Sequence, residues 1–441
     1  MRTNKRAAGF AGLALALSLT LAGCGSSSDD GSGDSTTDDG SGGDVTLEMS
    51  WWGDDTRAAL FAEVIDLFEA ANPGITVTET PVGSPDDLFN RLATDFASGG
   101  ETAPDVFALG GAKPQEYGDA GALLDLDTVA DIAEISKYPE FSLTNAMVND
   151  KLYGLPTGGN ATAAFVNTDI LAQAGITVPT DAWTWDDFVT MANQVGSAGL
   201  TNAQGQPIYG VDLRIQDIMG TYTGQMTEFG MYTWEGTLGV TADDIASWYD
   251  IEVKLRDGGG LPDPTIVTAG WNLPPDQQLY TLGQAAFTFG YSNLIATYAG
   301  GGETIMLTPP TNTDKTGVSL LPSAFWSINA ATAHPEEAAK LMSWFLNEPA
   351  AAELILDTRG VPFNPDIAAV VSPLLTGPSQ QAAEYVEVVL DSGEVAPPQP
   401  NGGANMNKYC QDGESDVLFG SKTPQEAGAD WVAKLGADLE G

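Results

Sequence analysis

Several aromatic side chains lie beside Gly, Asn or Asp where a predicted strand ends and a loop begins. Trp51-Trp52-Gly53-Asp54-Asp55 follows the first strand, Trp271-Asn272 lies in a Gly- and Pro-rich loop, and Tyr291-Ser292-Asn293 ends another strand. A sugar combines apolar C–H faces with a fringe of hydroxyl groups, so flat rings beside carboxylates and amides suit it. Each ring could instead fill the core, and for Trp52, Trp271 and Tyr291 the sequence leaves both interpretations open.

Motifs for catalysis are absent from the sequence. It contains no Gly-x-Ser-x-Gly elbow and no His-Glu-x-x-His, and its one histidine, His334, directly precedes a proline. Lys315-Thr316-Gly317 has no accompanying Ser-x-x-Lys, so we interpret it as a chance match. We therefore predict no catalysis, no metal and no cofactor. Glycoside hydrolysis stays open as the alternative, because it needs only two carboxylates and the chain has 60 acidic residues.

Composition and charge narrow the class of protein. The 441 residues carry a formal net charge of −43, which repels nucleic acid and anionic headgroups. The length predicts two lobes, since single cores stop growing at about 250–300 residues. There are two cysteines, Cys24 and Cys410. If Cys24 carries lipid, Cys410 has no partner within the chain and no disulfide staples the fold.

The first residues have the pattern of a bacterial lipoprotein signal. Arg2, Lys5 and Arg6 precede an apolar run that ends in Leu21-Ala22-Gly23-Cys24. We predict a signal peptide over residues 1–23, lipid on Cys24, and a disordered Gly/Ser/Asp tether over residues 24–44. The alternatives are an ordinary secretory signal with an incidental cysteine, or a short membrane anchor. The mature chain is then extracytoplasmic, held at the outer face of the cell membrane.

Hydrophobic patterning predicts the elements that position the aromatic residues. Strands at 45–52, 75–79 and 105–109 alternate with helices at 60–68 and 85–97, an order that indicates a parallel sheet. The alternation resumes with a strand at 163–166 and a helix capped by Thr184 and Asp187. Further helices begin at Pro335 and Thr423. Loops at the carboxyl ends of parallel strands are where open α/β sheets bind ligands.

Short segments throughout the ordered chain resemble one family, the extracellular solute-binding proteins, family 1, of carbohydrate ABC transporters. The resemblance rests on the order and spacing of these segments rather than on any one of them. They are Trp51-Trp52-Gly53, Ala103-Pro104-Asp105-Val106-Phe107, Gly121-Ala122-Leu123-Leu124-Asp125-Leu126, Leu152-Tyr153-Gly154-Leu155-Pro156, Phe165-Val166-Asn167-Thr168-Asp169, Thr184-Trp185-Asp186-Asp187-Phe188, Leu282-Gly283-Gln284-Ala285-Ala286-Phe287, Pro335-Glu336-Glu337-Ala338-Ala339 and Arg359-Gly360-Val361-Pro362.

This resemblance implies a type II periplasmic-binding-protein-like fold, in which two α/β lobes close on a sugar and a permease reads the closure. The implied crossings near Asn160, Pro309 and Arg359 divide the chain into lobe 1 (45–160 and 310–359) and lobe 2 (161–309 and 360–441). We expect a monomer that delivers a mono- or oligosaccharide to separate ABC permease subunits. A surface glycosidase and a carbohydrate-binding lectin are the alternatives.

The candidate sugar-binding residues follow from the loops and from the resemblance. Trp52, Tyr291 and either Trp271 or Trp326 are expected to stack on the sugar. For Arg359 a ligand contact and a salt bridge that fixes the hinge are both open. The remaining candidates, which would supply polar groups or close backbone approach, are Asp54, Asp55, Gly110, Gly111, Asn160 and Asp212.

Overall fold

The structure, a computed structural model, describes residues 44–440 except 181, 393 and 401. The predicted signal peptide, Cys24 and all of the predicted tether but residue 44 lie outside the described residues.

The strands are short and fall into two main sheets. In chain order they are β1 (Val45–Ser50), β2 (Ile75–Glu79), β3 (Val106–Leu109), β4 (Met147–Val148), β5 (Lys151–Leu152), β6 (Leu155–Pro156), β7 (Gly159–Asn160), β8 (Thr162–Asn167), β9 (Tyr209–Asp212), β10 (Ala285–Tyr291), β11 (Thr304–Leu307), β12 (Leu321–Pro322) and β13 (Phe325–Ile328).

Helices connect and cover these strands. The α-helices are α1 (Asp55–Ala71), α2 (Pro85–Ala97), α3 (Lys113–Asp119), α4 (Ala130–Ala133), α5 (Glu140–Leu143), α6 (Thr168–Ala174), α7 (Trp185–Ser197), α8 (Ile215–Met226), α9 (Ala242–Gly258), α10 (Pro264–Gly270), α11 (Ile295–Tyr298), α12 (Pro335–Asn347), α13 (Pro349–Ile355), α14 (Pro365–Val371), α15 (Pro378–Ser392), α16 (Met406–Leu418) and α17 (Pro424–Leu439). Short 3-10 helices cover Leu126–Val129, Ile135–Lys137, Thr144–Ala146, Pro275–Gln277, Ser292–Leu294, Ala299–Gly301, Ser372–Leu374 and Gly403–Asn405.

The first sheet has the strand order β2-β1-β3-β13-β6. Strands β1, β2 and β3 are parallel, as their alternation with α1 and α2 predicts, and β13 adds antiparallel to β3. The sheet is buried under α1 and α12, with Trp51, Phe61 and Phe107 in its core.

The second sheet has the order β11-β8-β10-β9, in which β9 is parallel to β10 and β8 is antiparallel to both its neighbours. Its core contains Trp185, Phe188, Trp248 and Trp431. The predicted capping boxes at Thr184 and Thr423 are confirmed, since each hydroxyl accepts from the amide three residues on and the acidic side chain there accepts from the cap.

Three chain segments meet between the two sheets, and we call residues 158–162 the hinge strand. Strand β7 pairs with β12 through Asn160 and Leu321, and Gly159 exchanges backbone hydrogen bonds of 2.7 and 3.1 Å with Val361. A Cβ at Gly158 would lie 2.5 Å from the carbonyl oxygen of Gly360, so only glycine lets these segments approach.

The chain that leads from the second sheet towards β12 packs on helices of the second sheet. The carbonyl of Pro310 accepts from Gln225, and the amide of Thr311 donates to the carbonyl of Trp183. The division of the chain into two lobes, with boundaries at residues 160, 309 and 359, stays a prediction.

Candidate functional site

Trp52 lies half-buried in the loop where β1 ends. Trp51 is fully buried, whereas Trp52 is half-buried and packs against the same core. The indole of Trp52 packs edge-on against Phe89, with ring centroids 5.8 Å apart. A Cβ at Gly110 would lie 3.6 Å from the Trp52 ring, so this glycine, at the end of β3, borders the indole. The structure thus brings the predicted residues Trp52 and Gly110 together.

Arg359 lies against the same tryptophan. Its Nη2 donates to the Trp52 carbonyl at 2.7 Å, and its guanidinium carbon is 4.6 Å from the Trp52 ring centroid. The side chain is buried, and its Nε has no hydrogen-bond partner. Arg359 therefore ties the third crossing to the loop after β1 through a carbonyl and a ring, and none of the ion pairs among the described residues includes it.

A second arginine strengthens this tie. Arg57, in the first turn of α1, donates from Nη2 to the carbonyl of Thr358 at 3.0 Å. Burial lowers the pKa of Arg359 from its ordinary value, and the positive charge of Arg57 lowers it further. Asp54 caps α1 by accepting from the Arg57 amide at 2.9 Å. Asp55 and Gly111 are exposed, and a role in ligand binding stays a prediction for all three candidates, Asp54, Asp55 and Gly111.

Two of the predicted site residues, Trp326 and Asp212, are buried rather than exposed. The indole of Trp326 is 2% exposed and packs against Phe61 and Phe345, with centroids 6.0 and 5.4 Å apart. Asp212 is buried at the end of β9, where its Oδ2 accepts from the Tyr280 amide at 3.0 Å and burial raises its pKa. Both side chains are enclosed by core residues, and a role of either one in ligand binding stays a prediction.

The loop after β9 contributes polar groups that the sequence analysis missed. Arg214 and Asp217 form an ion pair in which the side chains are only 10% and 14% exposed. Arg214 Nε and Gln216 Oε1 are buried without a hydrogen-bond partner. Buried polar atoms are normally paired, so these atoms have unused capacity to bond a ligand. The sequence could have indicated these residues, because polar side chains in Asp212-Leu213-Arg214-Ile215-Gln216-Asp217 lie at the carboxyl end of a strand that is parallel to its neighbour.

Tyr291 lies beside this loop, at the end of β10. The residue is 39% exposed. Burial and the charge of Asp217 raise the pKa of Tyr291 to about 12, so the phenol stays neutral at physiological pH. An exposed ring with a neutral hydroxyl beside Arg214 and Asp217 can stack on a ligand and hydrogen-bond it.

Trp271 is connected to the same loop. Its carbonyl accepts from Gln216 Nε2 at 2.9 Å, and its indole Nε1 donates to Glu414. The side chain is half-buried at the end of α10. Trp271 is therefore held at both its backbone and its ring, next to the polar loop after β9.

The hinge strand is bonded to the chain near Arg359 and to the chain near Tyr291. At Gly159 it bonds to Val361, two residues from Arg359, and at Ala161 its carbonyl accepts from the Ser292 amide, next to Tyr291, at 2.8 Å. Two residues of extended chain span about 7 Å. Asn160, buried in β7, lies between these two attachment points. We refer to Trp52, Gly110 and Arg359 as the Trp52 group, and to Arg214, Gln216, Asp217, Trp271 and Tyr291 as the Tyr291 group.

Among residues 44–440, apart from the three undescribed positions, no three His, Cys, Asp or Glu side chains are grouped so as to hold a metal ion. Within the same residues, every helix is too short or too polar to cross a bilayer.

Comparison with known proteins assigns the class. The family model described as "Bacterial extracellular solute-binding protein" matches residues 63–386, which is most of the chain. The chain therefore belongs to the bacterial extracellular solute-binding proteins, as the sequence segments indicated.

One relative matches nearly the whole chain and another about a third of it. The galactooligosaccharide-binding protein of Bacillus subtilis (strain 168) is 23% identical over 424 residues, covering 94% of this chain and 93% of that protein. The lactose-binding protein of Rhizobium radiobacter is 28% identical over 159 residues, which cover 35% of this chain and 36% of that protein.

Solved structures show the same fold. A family 1 extracellular solute-binding protein from Alicyclobacillus acidocaldarius aligns with a TM-score of 0.72 at 22% identity, covering 91% of this chain and all of that one. A periplasmic oligogalacturonide-binding protein from Yersinia enterocolitica aligns with a TM-score of 0.74 at 21% identity, covering 90% and 99%. The predicted two-lobed periplasmic-binding-protein-like fold is confirmed.

Proposed function

We propose that this protein binds a neutral mono- or oligosaccharide between its two lobes and delivers it to an ABC importer. The observation that carries the proposal is the pair of residue groups that flank the hinge strand. The Trp52 group presents the half-buried indole of Trp52. The Tyr291 group combines the exposed ring of Tyr291 with the polar side chains of Arg214, Gln216 and Asp217. Rings that cover the C–H face of a sugar, and donors or acceptors that meet its hydroxyls, are the two requirements of such a site.

The relatives support a sugar as the ligand. One is named for galactooligosaccharides and another for lactose, and a structural neighbour is named for oligogalacturonide. The Tyr291 group carries a paired Arg214 and Asp217 whose charges offset each other, which suits a neutral ligand better than an anionic one. The proposed role needs no catalytic step and no cofactor.

Binding can be separated from catalysis in one experiment. The purified protein is titrated calorimetrically with lactose, galactotriose, maltotriose and digalacturonate, and each mixture is then analysed for products by chromatography. A saturable heat with an unchanged sugar is the expected result. Turnover of any glycan would favour the surface glycosidase. Binding without lobe closure in small-angle scattering would favour the lectin.

A matched pair of variants tests the site. Tyr291→Ala removes the exposed ring of the Tyr291 group, and a stacked ring is worth about 2 kcal/mol or about 30-fold in affinity. Trp234→Ala is the control, because Trp234 is 47% exposed in the turn between the paired residues Tyr232 and Leu238. Equal affinities of the two variants would contradict the assignment of Tyr291.

We further propose that the protein is a monomeric lipoprotein on the outer face of the cell membrane. The lipoprotein signal that ends at Cys24 supports this location, as does membership of an extracellular family. The permease and ATPase would be separate polypeptides, since the sequence contains no phosphate-binding Gly-x-x-x-x-Gly-Lys-Ser/Thr motif.

A further inference from the structure

Residues 271–280 lead from the end of α10 towards β10 and carry Trp271, and we call them the Trp271 loop. The regular structure within it is one short 3-10 helix, Pro275–Gln277, and its residues Leu273 and Asp276 are exposed. A loop with so little regular structure is placed by its contacts with the rest of the fold. The position of the Trp271 indole therefore depends on the groups that hold this loop.

Two side chains from one short segment bond the two ends of the Trp271 loop. At its start, Gln216 Nε2 donates to the Trp271 carbonyl at 2.9 Å. At its end, the Tyr280 amide donates to Asp212 Oδ2 at 3.0 Å, and this bond is buried. Asp212 ends β9 and Gln216 lies in the first turn of α8. The connection between β9 and α8 therefore holds the loop at both ends.

Asp212 is itself firmly attached to the second sheet. It is 6% exposed, and it lies opposite Thr288 where β9 and β10 run parallel. The Thr288 hydroxyl donates to the Asp212 carbonyl at 2.9 Å. Strand β10 ends at Tyr291. The residue that bonds the end of the Trp271 loop is therefore fixed to the strand that presents the Tyr291 ring.

The end of the Trp271 loop lies in the core. Tyr280 is fully buried, and Gln278 is 1% exposed. Gln278 Nε2 donates to the Leu273 carbonyl at 3.2 Å, which connects the end of the loop to the part beside Trp271. A buried amide that loses its acceptor is costly, so removal of the Asp212 carboxylate would force this end of the loop to shift.

The carboxylate of Asp212 is buried without an ion pair. Among the described residues, the ion pairs include Arg214 with Asp217 and none with Asp212. Burial of a carboxylate outside an ion pair is costly unless hydrogen bonds compensate for it. The side chain of Asp212 accepts its hydrogen bond from the backbone of the Trp271 loop, so the loop is the feature that this buried group stabilises.

We propose that Asp212 is a positioning residue for Trp271, because its carboxylate fixes the end of the Trp271 loop and thereby holds the indole in the place where it stacks on the sugar. The proposal rests on the proposed function, in which Trp271 contacts the ligand. Asp212 then acts on affinity through the indole and not through a contact of its own. The segment that holds the loop also presents Arg214 and Asp217, so the indole and these polar groups keep a fixed arrangement.

The first part of the test follows the loop without ligand. Hydrogen exchange of peptides that span residues 271–284 is measured by mass spectrometry in the wild type, Asp212→Ala, Asp212→Asn and Asp276→Ala. We expect Asp212→Ala to exchange about tenfold faster in this region, which is the worth of about one hydrogen bond. Asp212→Asn should be close to the wild type, because its amide oxygen can still accept from the Tyr280 amide. Asp276→Ala is the control, since it removes an exposed carboxylate from the same loop.

The second part is a double-mutant cycle of Asp212→Ala and Trp271→Ala, with affinity for galactotriose measured by calorimetry. Lactose or maltotriose replaces galactotriose if it is the panel sugar that the wild type binds. We expect Asp212→Ala to lose about tenfold in affinity and Trp271→Ala about 30-fold. The double variant should lie within about twofold of Trp271→Ala, because without the indole no ring is left to misplace. Asp212→Asn should stay within about threefold of the wild type, and Asp276→Ala should match it.

Several results would overturn the proposal. Losses that add in the double variant would make Asp212 a direct contact of the sugar. An Asp212→Ala protein that folds and keeps its affinity, or that exchanges like the wild type over residues 271–284, would also overturn it. Full affinity in Trp271→Ala would overturn it while leaving sugar binding intact.

Failure of the proposed function is distinguishable from failure of this inference. If the wild type binds none of the panel sugars but Asp212→Ala exchanges faster in the loop, the support of the loop by Asp212 is upheld and the proposed function is contradicted. If Asp212→Ala does not fold, Asp212→Glu takes its place in the cycle, because it keeps the charge but displaces the carboxylate by one methylene group. Additive losses with Trp271→Ala would overturn the proposal for this variant too.

Discussion

Substitution of Arg359 tests how the candidate site is built, because its two interpretations predict different results. A structural contact predicts a loss of stability, whereas a ligand contact predicts a loss of sugar affinity. The structure places its guanidinium inside the protein, bonded to the Trp52 carbonyl and stacked on the Trp52 ring. A tie of this kind stabilises the fold, whereas a ligand contact would contribute to affinity alone. The substitution Arg359→Ala removes the hydrogen bond, the ring contact and the aliphatic stem.

The expected loss of stability follows from these contacts. A hydrogen bond from a charged group is worth about 1.5–3 kcal/mol and a desolvated cation–π contact about 2 kcal/mol. Burial of the stem adds about 2 kcal/mol. The substitution also removes a buried positive charge that Arg57 repels. Desolvation of such a charge is costly, so its removal restores several kcal/mol to the free energy of unfolding. The net destabilisation is about 3 kcal/mol.

The assay is thermal unfolding, followed by calorimetry. About 400 residues at about 2.1 cal/mol/K each give an unfolding entropy of about 0.8 kcal/mol/K, so the midpoint should fall by about 4 °C. Lys408→Ala is the control that removes one positive charge from an exposed ion pair, and it should melt within about 1 °C of the wild type. An Arg359→Ala protein that melts normally but has lost all sugar binding would refute this reasoning and make Arg359 a ligand contact.

Four other predictions concern single features of the chain. Trp52→Ala should weaken sugar binding about 30-fold by calorimetry and lower the melting temperature by only about 2–3 °C, because it also removes the ring contact with Arg359, and unchanged affinity would remove Trp52 from the site. Trp326→Ala should instead cost about 3–5 kcal/mol in denaturant unfolding, because this indole is enclosed in the core, and a stable variant with weak binding would reverse that assignment. Glu252 and Glu414 are fully buried, and burial raises the pKa of both, so they hold protons in the folded state at pH values where the unfolded chain has released them. The free energy of unfolding should therefore fall as pH rises from about 4.5 to about 8, by up to about 1.4 kcal/mol per pH unit for each proton. The variant Glu252→Gln/Glu414→Gln should lack this slope, and equal slopes would contradict the raised pKa values. Cys24→Ala should release the protein into the medium in a folded, sugar-binding form, and retention in the membrane fraction would contradict the lipoprotein assignment.

The fold could be predicted because its signals are local. Helix α2 begins at Pro85 and ends at Ala97, which are the bounds that the sequence predicts. The capping residues Thr184 and Thr423 mark helix starts through hydrogen bonds between neighbours in sequence. The parallel order of β1, β2 and β3 follows from the connections between them.

The second crossing shows the limit of local signals. Whether residues 310–316 belong to one sheet or the other depends on bonds to Gln225 and Trp183, which lie more than 80 residues away. Such contacts leave no pattern in the segment itself, so the sequence of this segment does not indicate them.

The candidate site could be predicted only in part, because contacts between distant residues decide which side chains are buried. Trp52 and Tyr291 can be found because aromatic residues at strand ends are adjacent to Gly, Ser or Asn in sequence. Trp326 and Asp212 also have side chains that suit a sugar site, an aromatic ring and a carboxylate, but their burial is decided by Phe61, Phe345 and Tyr280 from distant parts of the chain. Glu252 on α9 and Glu414 on α16 are both fully buried, and only the packing of these two helices reveals it.

The central claim, that the two residue groups beside the hinge strand bind a sugar, is tested most directly by calorimetric titration of the purified protein with the neutral oligosaccharide panel. The account predicts saturable binding of at least one neutral sugar, with recovery of that sugar unchanged and loss of the binding heat in a Trp52→Ala/Tyr291→Ala double variant that is still folded. Turnover of the sugar would contradict it, as would binding that survives in the double variant.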